Sequence, residues 1–327
     1  MPEVARSGRK VIGIDLGGTK LLAGAIDEHL GVRRSAYRII HNLDQPTLLD
    51  SIVDAIDEIR EEEPDVQAVG FGIPCLIDQR TGIAVVAVNL PIHDLPFRDL
   101  MEERLGLPVF IDNDANVATL VEQRFGAAKG ANDVIGLTIG TGIGGGIVLG
   151  GRIYRGFVGA AGELGHMVVD EDGPRCQGQC PNRGCLEAVA SGVAIAREAA
   201  LAAQGEPDSA LGAAAADGLE ITGQFVTELA LEGNELARMV LGQIGRKLGV
   251  GLSNITNIFN PEVIVLGGGA MAAGDLLLQP ARDEMMRRAL PPSRDLVKVV
   301  RANFRDEAGM LGAAVLAFDE LGERVRA

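Results

Sequence analysis

A chain of 327 residues, 47% hydrophobic and 23% charged, is long enough for two ordinary domains and apolar enough to bury a sizeable core, which excludes a disordered chain. Its 30 basic and 45 acidic residues give a formal charge of −15, and a field of that sign disfavours nucleic acid and anionic membrane as partners. The sequence shows no uninterrupted apolar run of about 18 residues. Its opening MPEVARSGRK has no apolar core of a secretory signal, so the expectation is a cytoplasmic protein whose four cysteines stay reduced.

In chain order, Lys10–Leu16, Leu21–Asp27 and Val32–Ile40 read as three strands. Pro46–Glu62 carries apolar residues at helical spacing (Leu48, Leu49, Ile52, Val53, Ile56, Ile59) and is expected to be a helix. Short apolar runs at Val66–Phe71 and Val85–Val88 predict strands. Phe97–Leu105 predicts a helix, Val109–Ile111 a strand, and Asn113–Phe125 another helix. Val134–Ile139 and Ile147–Leu149 bracket a glycine turn. Leu186–Ala200 and Asn234–Ile258 read as helices, Val263–Leu266 as a buried strand and Leu276–Ala289 as a helix. Val297–Val300 is strand-like and Glu307–Leu321 a closing helix. Ala199–Leu219, rich in Ala, Gly, Asp and Pro, reads as the least structured stretch. Strands alternate with helices, so the class is α/β.

Gly17, Gly18 and Thr19, with Lys20 after them, lie between the first two strands, which alone is a hairpin turn. A second unit of strand, glycines and strand, LTIGTGIGGGIVL at Leu137–Leu149, changes that reading. Gly140, Gly142 and Gly145 have the spacing of a dinucleotide fingerprint, but strand-like residues follow where that fingerprint needs a helix. What remains is a glycine hairpin in each half of the chain. Glycines let backbone N–H groups approach an anion, and Thr19 and Thr141 add hydroxyl donors, as a nucleoside polyphosphate requires. Gly267, Gly268 and Gly269, at the end of VIVLGGG, either carry an adenine or ease a tight strand-to-helix turn.

FIDNDANVATLVEQRFG joins a strand to a helix. Asn113 or Asp114 suits the helix N-cap. A carboxylate at that edge also suits a general base acting on a hydroxyl. In extended backbone Asp112 and Asp114 point the same way, so spacing leaves both open. Downstream, His166, Cys176, Cys180 and Cys185 supply an imidazole and three thiolates, the closed set of a structural tetrahedral zinc site. Cys75, remote from these, reads as a small buried residue.

A duplicated half carrying a phosphate hairpin is the pattern of the actin-like, ribonuclease-H-like ATPases. Within them the chain resembles the ROK family (repressors, open reading frames, sugar kinases) from VIGIDLGGTK to DEAGMLGAA, most specifically in GELGH and CPNRGCLE, and looks most like its bacterial glucokinases. The resemblance implies an actin-like α/β fold of two domains with a cleft between them. The smaller would span residues 1–115 plus a closing helix in 308–327, the larger 116–307 with the zinc loop. It implies an ATP-dependent kinase acting on O6 of glucose or, alternatively, on N-acetylmannosamine, N-acetylglucosamine, fructose or allose. The family's base maps onto Asp114, and its sugar ligands onto Asn89, Asn113, Glu163, His166 and Glu187. ATP would be held by Gly17, Gly18, Thr19, Lys20, Gly140, Thr141, Gly142, Gly267, Gly268 and Gly269, and Asp15 would position Mg2+. Zinc would be structural, and the protein a homodimer or higher homo-oligomer.

Two features depart from the family pattern. Three residues, QGQ, separate Cys176 from Cys180 where one is usual. NLPIHDLPF lacks the Gly-Trp that often follows NLP, in a chain with no Trp at all, and His93 reads as a surface residue. ROK repressors carry a helix-turn-helix ahead of the sugar-binding core. Only about ten residues precede the first strand here, and with the acidic charge this argues against that reading. The presence of Asp114 weighs against a sugar sensor without catalysis.

Overall fold

β1 (Lys10–Leu16), β2 (Lys20–Asp27) and β3 (Val32–Ile39) form an antiparallel meander, with Lys10 opposite Asp27 and Leu16 opposite Leu21. A computed structural model describes residues 8–87 and 89–324. Asp44 caps α1 (Gln45–Glu62) by accepting from Thr47 N at 3.0 Å, and the helix buries Leu48, Leu49, Ile52, Ile56 and Ile59. β4 (Val69–Ile73) then pairs parallel to β1. β5 (Cys75–Asp78), β6 (Ile83–Ala87) and β7 (His93–Leu95) make a separate three-stranded antiparallel sheet. After α2 (Phe97–Leu105), β8 (Val109–Asn113) completes the main sheet in the order β3-β2-β1-β4-β8 and leads into α3 (Asp114–Arg124). β5 and β7 were not legible because four and three residues are too few to show a period. The strand expected at Val85–Val88 is β6, ending at Ala87, and Val88 lies outside the described residues.

The described residues fall into two compact units. The first comprises the chain up to Lys129, Ile153–Gly162, and the chain from Phe304 onward. The boundary expected at 115–116 would cut α3 after its second residue. The helix instead stays whole, because Val117, Leu120 and Val121 share one apolar cluster with Met310, Leu311 and Ala314 of the C-terminal helix (Ala308–Arg324). That helix lies against β1 and β4 at backbone contact. A Cβ on Gly13 would sit 2.1 Å from Met310 O, and one on Gly70 1.9 Å from Ala313 O.

In the second unit β9 (Val134–Ile139) and β10 (Ile143–Leu149) form a hairpin with Ile139 opposite Ile143. With β11 (Arg152–Ile153), β12 (Val263–Gly267) and β13 (Lys298–Arg301) they give the order β11-β10-β9-β12-β13. β12 runs parallel to both β9 and β13. The hairpin beside parallel strands repeats the plan of the first sheet. The helix expected over Leu186–Ala200 is two, α4 (Leu186–Ala190) and α5 (Gly192–Gly205). Ser191 is extended between them, and its hydroxyl accepts from Ala194 N at 3.3 Å to cap α5.

The stretch Ala199–Leu219 is more ordered than expected. It holds the end of α5 and all of α6 (Ala210–Ala216), capped by Ser209. An alanine run is a strong helix former whatever turn residues flank it. α7 (Gly223–Leu231), α8 (Glu235–Phe259), α9 (Asp275–Arg288) and α10 (Ser293–Leu296) complete the unit. Among the described residues no helix is long and apolar enough to cross a membrane.

Candidate functional site

The first glycine turn is a tight hairpin. Gly17 N donates to Lys20 O at 2.9 Å, and Thr19 O accepts from Ile40 N at 3.0 Å, which leaves Thr19 and Lys20 exposed. A Cβ on Gly18 would lie 2.6 Å from Asn89 Cβ, so this glycine is required by close approach to Asn89. The hairpin and Asn89 are therefore neighbours, although about seventy residues separate them. Asp15, at the end of β1, is half-buried. Its carboxyl is pushed up from 3.8 to about 6, first by burial, then by the negative charge of Asp114, with Lys20 opposing. The start of the C-terminal helix covers it, since a Cβ on Gly309 would meet the Asp15 carboxylate carbon at 2.5 Å.

Between β8 and α3 the two acids that spacing left open have different surroundings. Asp112 is 1% exposed. One of its oxygens accepts from Asn113 N and Asn116 Nδ2, both at 2.8 Å, and the other accepts from Arg155 Nε at 2.7 Å. Arg155 also reaches Glu320 at 3.3 Å. Asp112 is thus held in a buried ion pair. Asp114 opens α3 and is partly exposed, with one oxygen accepting from Ala115 N at 2.9 Å. A carboxylate there is favoured by the positive end of the helix. Asn113 is the N-cap, its Oδ1 accepting from Ala115 N at 2.9 Å. Nothing in the sequence pointed to Arg155, which lies 43 residues beyond its partner.

In the second unit, Gly140 N donates to Gly142 O at 2.9 Å across the tip of the β9–β10 hairpin, and Thr141 is exposed. The tip is gripped from the α4–α5 side. Glu187 Oε2 accepts from Ile143 N at 2.9 Å, and a Cβ on Gly142 would lie 2.3 Å from that oxygen. Gly140 O accepts from Gly192 N at 2.7 Å. Gly268 has φ +86°, and a Cβ there would sit 2.4 Å from Ile139 O. It serves a left-handed turn packed against the end of β9, so the tight-turn reading of this glycine is met. A short 3-10 turn that begins at the third glycine, Gly269–Ala273, stands between β12 and α9.

His166, Cys176, Cys180 and Cys185 converge, one donor atom from each lying within 4.8 Å of all the others. His166 Nδ1 is 3.4 Å from Cys176 Sγ, and the sulfurs of Cys180 and Cys185 are 3.9 Å apart. The ligand–ligand edges of a zinc tetrahedron with Zn–S of about 2.3 Å and Zn–N of about 2.1 Å are about 3.6–3.8 Å, so the donor set fits. The longer QGQ loop still delivers Cys176, with Cys176 N donating to Asn182 O at 3.0 Å. Burial, together with the neighbouring thiols, holds the Cys176 thiol well above its ordinary range, and burial raises Cys185 too.

His166 Nε2 lies on the other side of the ring, 3.8 Å from Glu163 Oε2. Cys75 is buried apart from this cluster, and its thiol is pushed up to about 11 by burial. All four cysteines are free. His93 is exposed beside Asp94.

Residues 11–320 match the ROK family. The chain is 36% identical over 315 residues to the glucokinase of Streptomyces coelicolor, covering 94% of this chain and 96% of that protein. It is 31% identical over 319 residues to the xylose repressor of Caldicellulosiruptor bescii, covering 95% of this chain and 78% of the repressor. Among solved structures, a ROK family glucokinase from Streptomyces griseus in complex with glucose and AMPPNP has a TM-score of 0.82 at 36% identity. The match covers 95% of this chain and 99% of that one.

Proposed function

The chain belongs to the ROK family, and from that premise we propose that it is an ATP-dependent sugar kinase whose acceptor is O6 of glucose. The observation that carries the mechanism is the unequal pair of acids. Asp112 is buried in an ion pair with Arg155, whereas Asp114 is partly exposed at the start of α3, so Asp114 is the carboxylate of the two placed to reach a substrate hydroxyl. Asp114 accepts the O6 proton as that oxygen attacks the γ-phosphorus. The O6–P bond forms, the bond from phosphorus to the β,γ-bridging oxygen breaks, and ADP leaves with that electron pair. Glucose is preferred over the other hexoses because of the similarity to glucokinases, one of them bound to glucose and AMPPNP.

Each glycine hairpin offers backbone N–H groups and a threonine hydroxyl to the ATP phosphates. Gly268 borders the second hairpin at Ile139, and Gly267, Gly268 and Gly269 would lie under the adenine. Burial first, and then the negative charge of Asp114, raise the Asp15 carboxyl, and two carboxylates near enough to interact would suit a divalent cation. Mg2+ would neutralise the phosphate charge, and Asp15 would position it.

In the first unit Asn89 and Asn113 would bind sugar hydroxyls. In the second, His166 Nδ1, on the side of the cysteines, would hold zinc, and Nε2–H would then be a fixed donor beside the Glu163 carboxylate, a donor–acceptor pair suited to a hydroxyl. Glu187 has Oε2 committed to Ile143 N, and Oε1, 3.7 Å from Cys176 Sγ, would be the oxygen that reaches a sugar hydroxyl. His166, Cys176, Cys180 and Cys185 would hold the zinc as a closed structural site.

Four free cysteines suit a reducing cytoplasm, and a homodimer follows from the family resemblance. A sedimenting species of 34.2 kDa at micromolar concentration would argue against the dimer.

A coupled kinase assay across a hexose panel tests the reading. Glucose should give the highest kcat/KM, and Asp114→Asn should lower kcat by at least ~10² with little change in ATP KM. Near-full kcat in Asp114→Asn would refute its role as base.

A further inference from the structure

Gln177 is the first residue of the lengthened spacer between Cys176 and Cys180, and Gly178 turns the loop just after it with φ +58°. Its side-chain nitrogen donates to Thr141 O at 3.1 Å and lies 3.2 Å from the hydroxyl of Ser191. Ser191 is fully buried as the cap of α5, so this second contact is fixed by the fold. Glu187 extends the same link. One of its oxygens takes Ile143 N, and the other lies 3.7 Å from Cys176 Sγ. Gly140, Thr141 and Ile143, three of four consecutive residues around the hairpin tip, are therefore each bonded to the zinc-loop and α4–α5 side.

A turn with glycine at both 140 and 142 has few steric limits of its own. The Thr141–Gly142 peptide is planar and trans, so its C=O and its N–H point in opposite directions. With the C=O turned toward Gln177, the Gly142 N–H faces away from the zinc loop. Were the peptide to flip, it would present a carbonyl oxygen where the N–H stood, and a phosphate would be repelled.

We propose that Gln177 is a positioning residue for nucleotide binding, holding the Thr141–Gly142 peptide with its N–H toward the ATP phosphates, and that it ties the hairpin to the metal loop. This rests on the sugar-kinase reading. The loop that orders one side of the sugar pocket thereby also orders a phosphate grip, and the extended cysteine spacing is what supplies the residue.

Two variants test this. Gln177→Glu keeps the shape and loses the donor, and Gln177→Met is uncharged and of similar length. For each, zinc content, Kd for AMPPNP, KM for ATP and for glucose, and amide hydrogen exchange over residues 140–143 are measured. Both variants should retain zinc and the parent glucose KM. Both should raise AMPPNP Kd and ATP KM about three- to tenfold, the range of one net hydrogen bond, and speed exchange at the tip. Gln177→Lys, which can donate again, should recover most of the affinity. AMPPNP Kd within twofold of the parent in Gln177→Met overturns the proposal. So does a rise confined to Gln177→Glu, which charge alone would explain. A parent protein that binds no AMPPNP sinks the kinase reading itself, whereas a parent that binds it and an indifferent Gln177→Met sink only this inference.

Discussion

Replacing Asp15 by Asn should make the protein more stable and less active. The Asp15 carboxyl ionises near 6 in the fold against an ordinary 3.8, chiefly through burial and secondly through Asp114. At about 1.36 kcal/mol per pH unit that difference is worth at most about 3 kcal/mol. Asp15 is only half-buried, so about 1–2 kcal/mol is the reasonable expectation. Below pH 3.8 both folded and unfolded chains carry the protonated acid, and parent and variant match. As the pH rises the unfolded chain ionises first, and the folded chain follows only near 6. The parent therefore loses stability across that window, while the amide, which resembles the protonated acid, does not.

The gain of Asp15→Asn should be about half developed at pH 5 and level by about pH 7.5. In thermal denaturation with a chelator present, Tm should rise by about 2–6 °C at pH 7.5 and by less at pH 5. The same variant should lose kcat/KM for ATP, because the charge that destabilises the fold is the one proposed to position Mg2+. An unchanged or lowered Tm, or a gain equal at pH 5 and pH 7.5, would refute the reasoning.

Arg155→Leu leaves Asp112 charged and unpaired inside the fold and should cost about 3–5 kcal/mol in urea unfolding. Adding Asp112→Asn should return part of that, and a single variant within 1 kcal/mol of the parent would contradict the buried-pair assignment. Metal analysis should find one zinc per chain, and Cys176→Ser should lose it as fully as Cys180→Ser or Cys185→Ser, since Cys176 stands 3.4 Å from His166 Nδ1. Retention of zinc by Cys176→Ser would exclude that residue as a ligand. Gly18→Ala drives a Cβ to 2.6 Å from Asn89 Cβ and should raise KM for the sugar together with KM for ATP. A rise for ATP alone would separate Asn89 from the sugar pocket.

The α/β alternation, the two glycine hairpins, the long helices and the Cys/His set were all legible in the sequence. Each is written in residues close along the chain: a period of two or 3.6, glycines between two apolar runs, four ligands within twenty residues. What the sequence left open or missed depends on partners brought from far away. Asp112 and Asp114 are equivalent by spacing, and a guanidinium 43 residues later separates them by burying one in an ion pair. The first unit keeps α3 because the C-terminal helix packs on it, although nearly two hundred residues lie between them. Gly18 reads as a plain turn residue until Asn89 is found against it. Gln177 reads as spacer until Thr141 O is found within its reach. Backbone pattern is local and is set by propensity and period. Which side chain is buried, paired or aimed at a peptide is set by packing between distant segments, and only the tertiary structure could decide that.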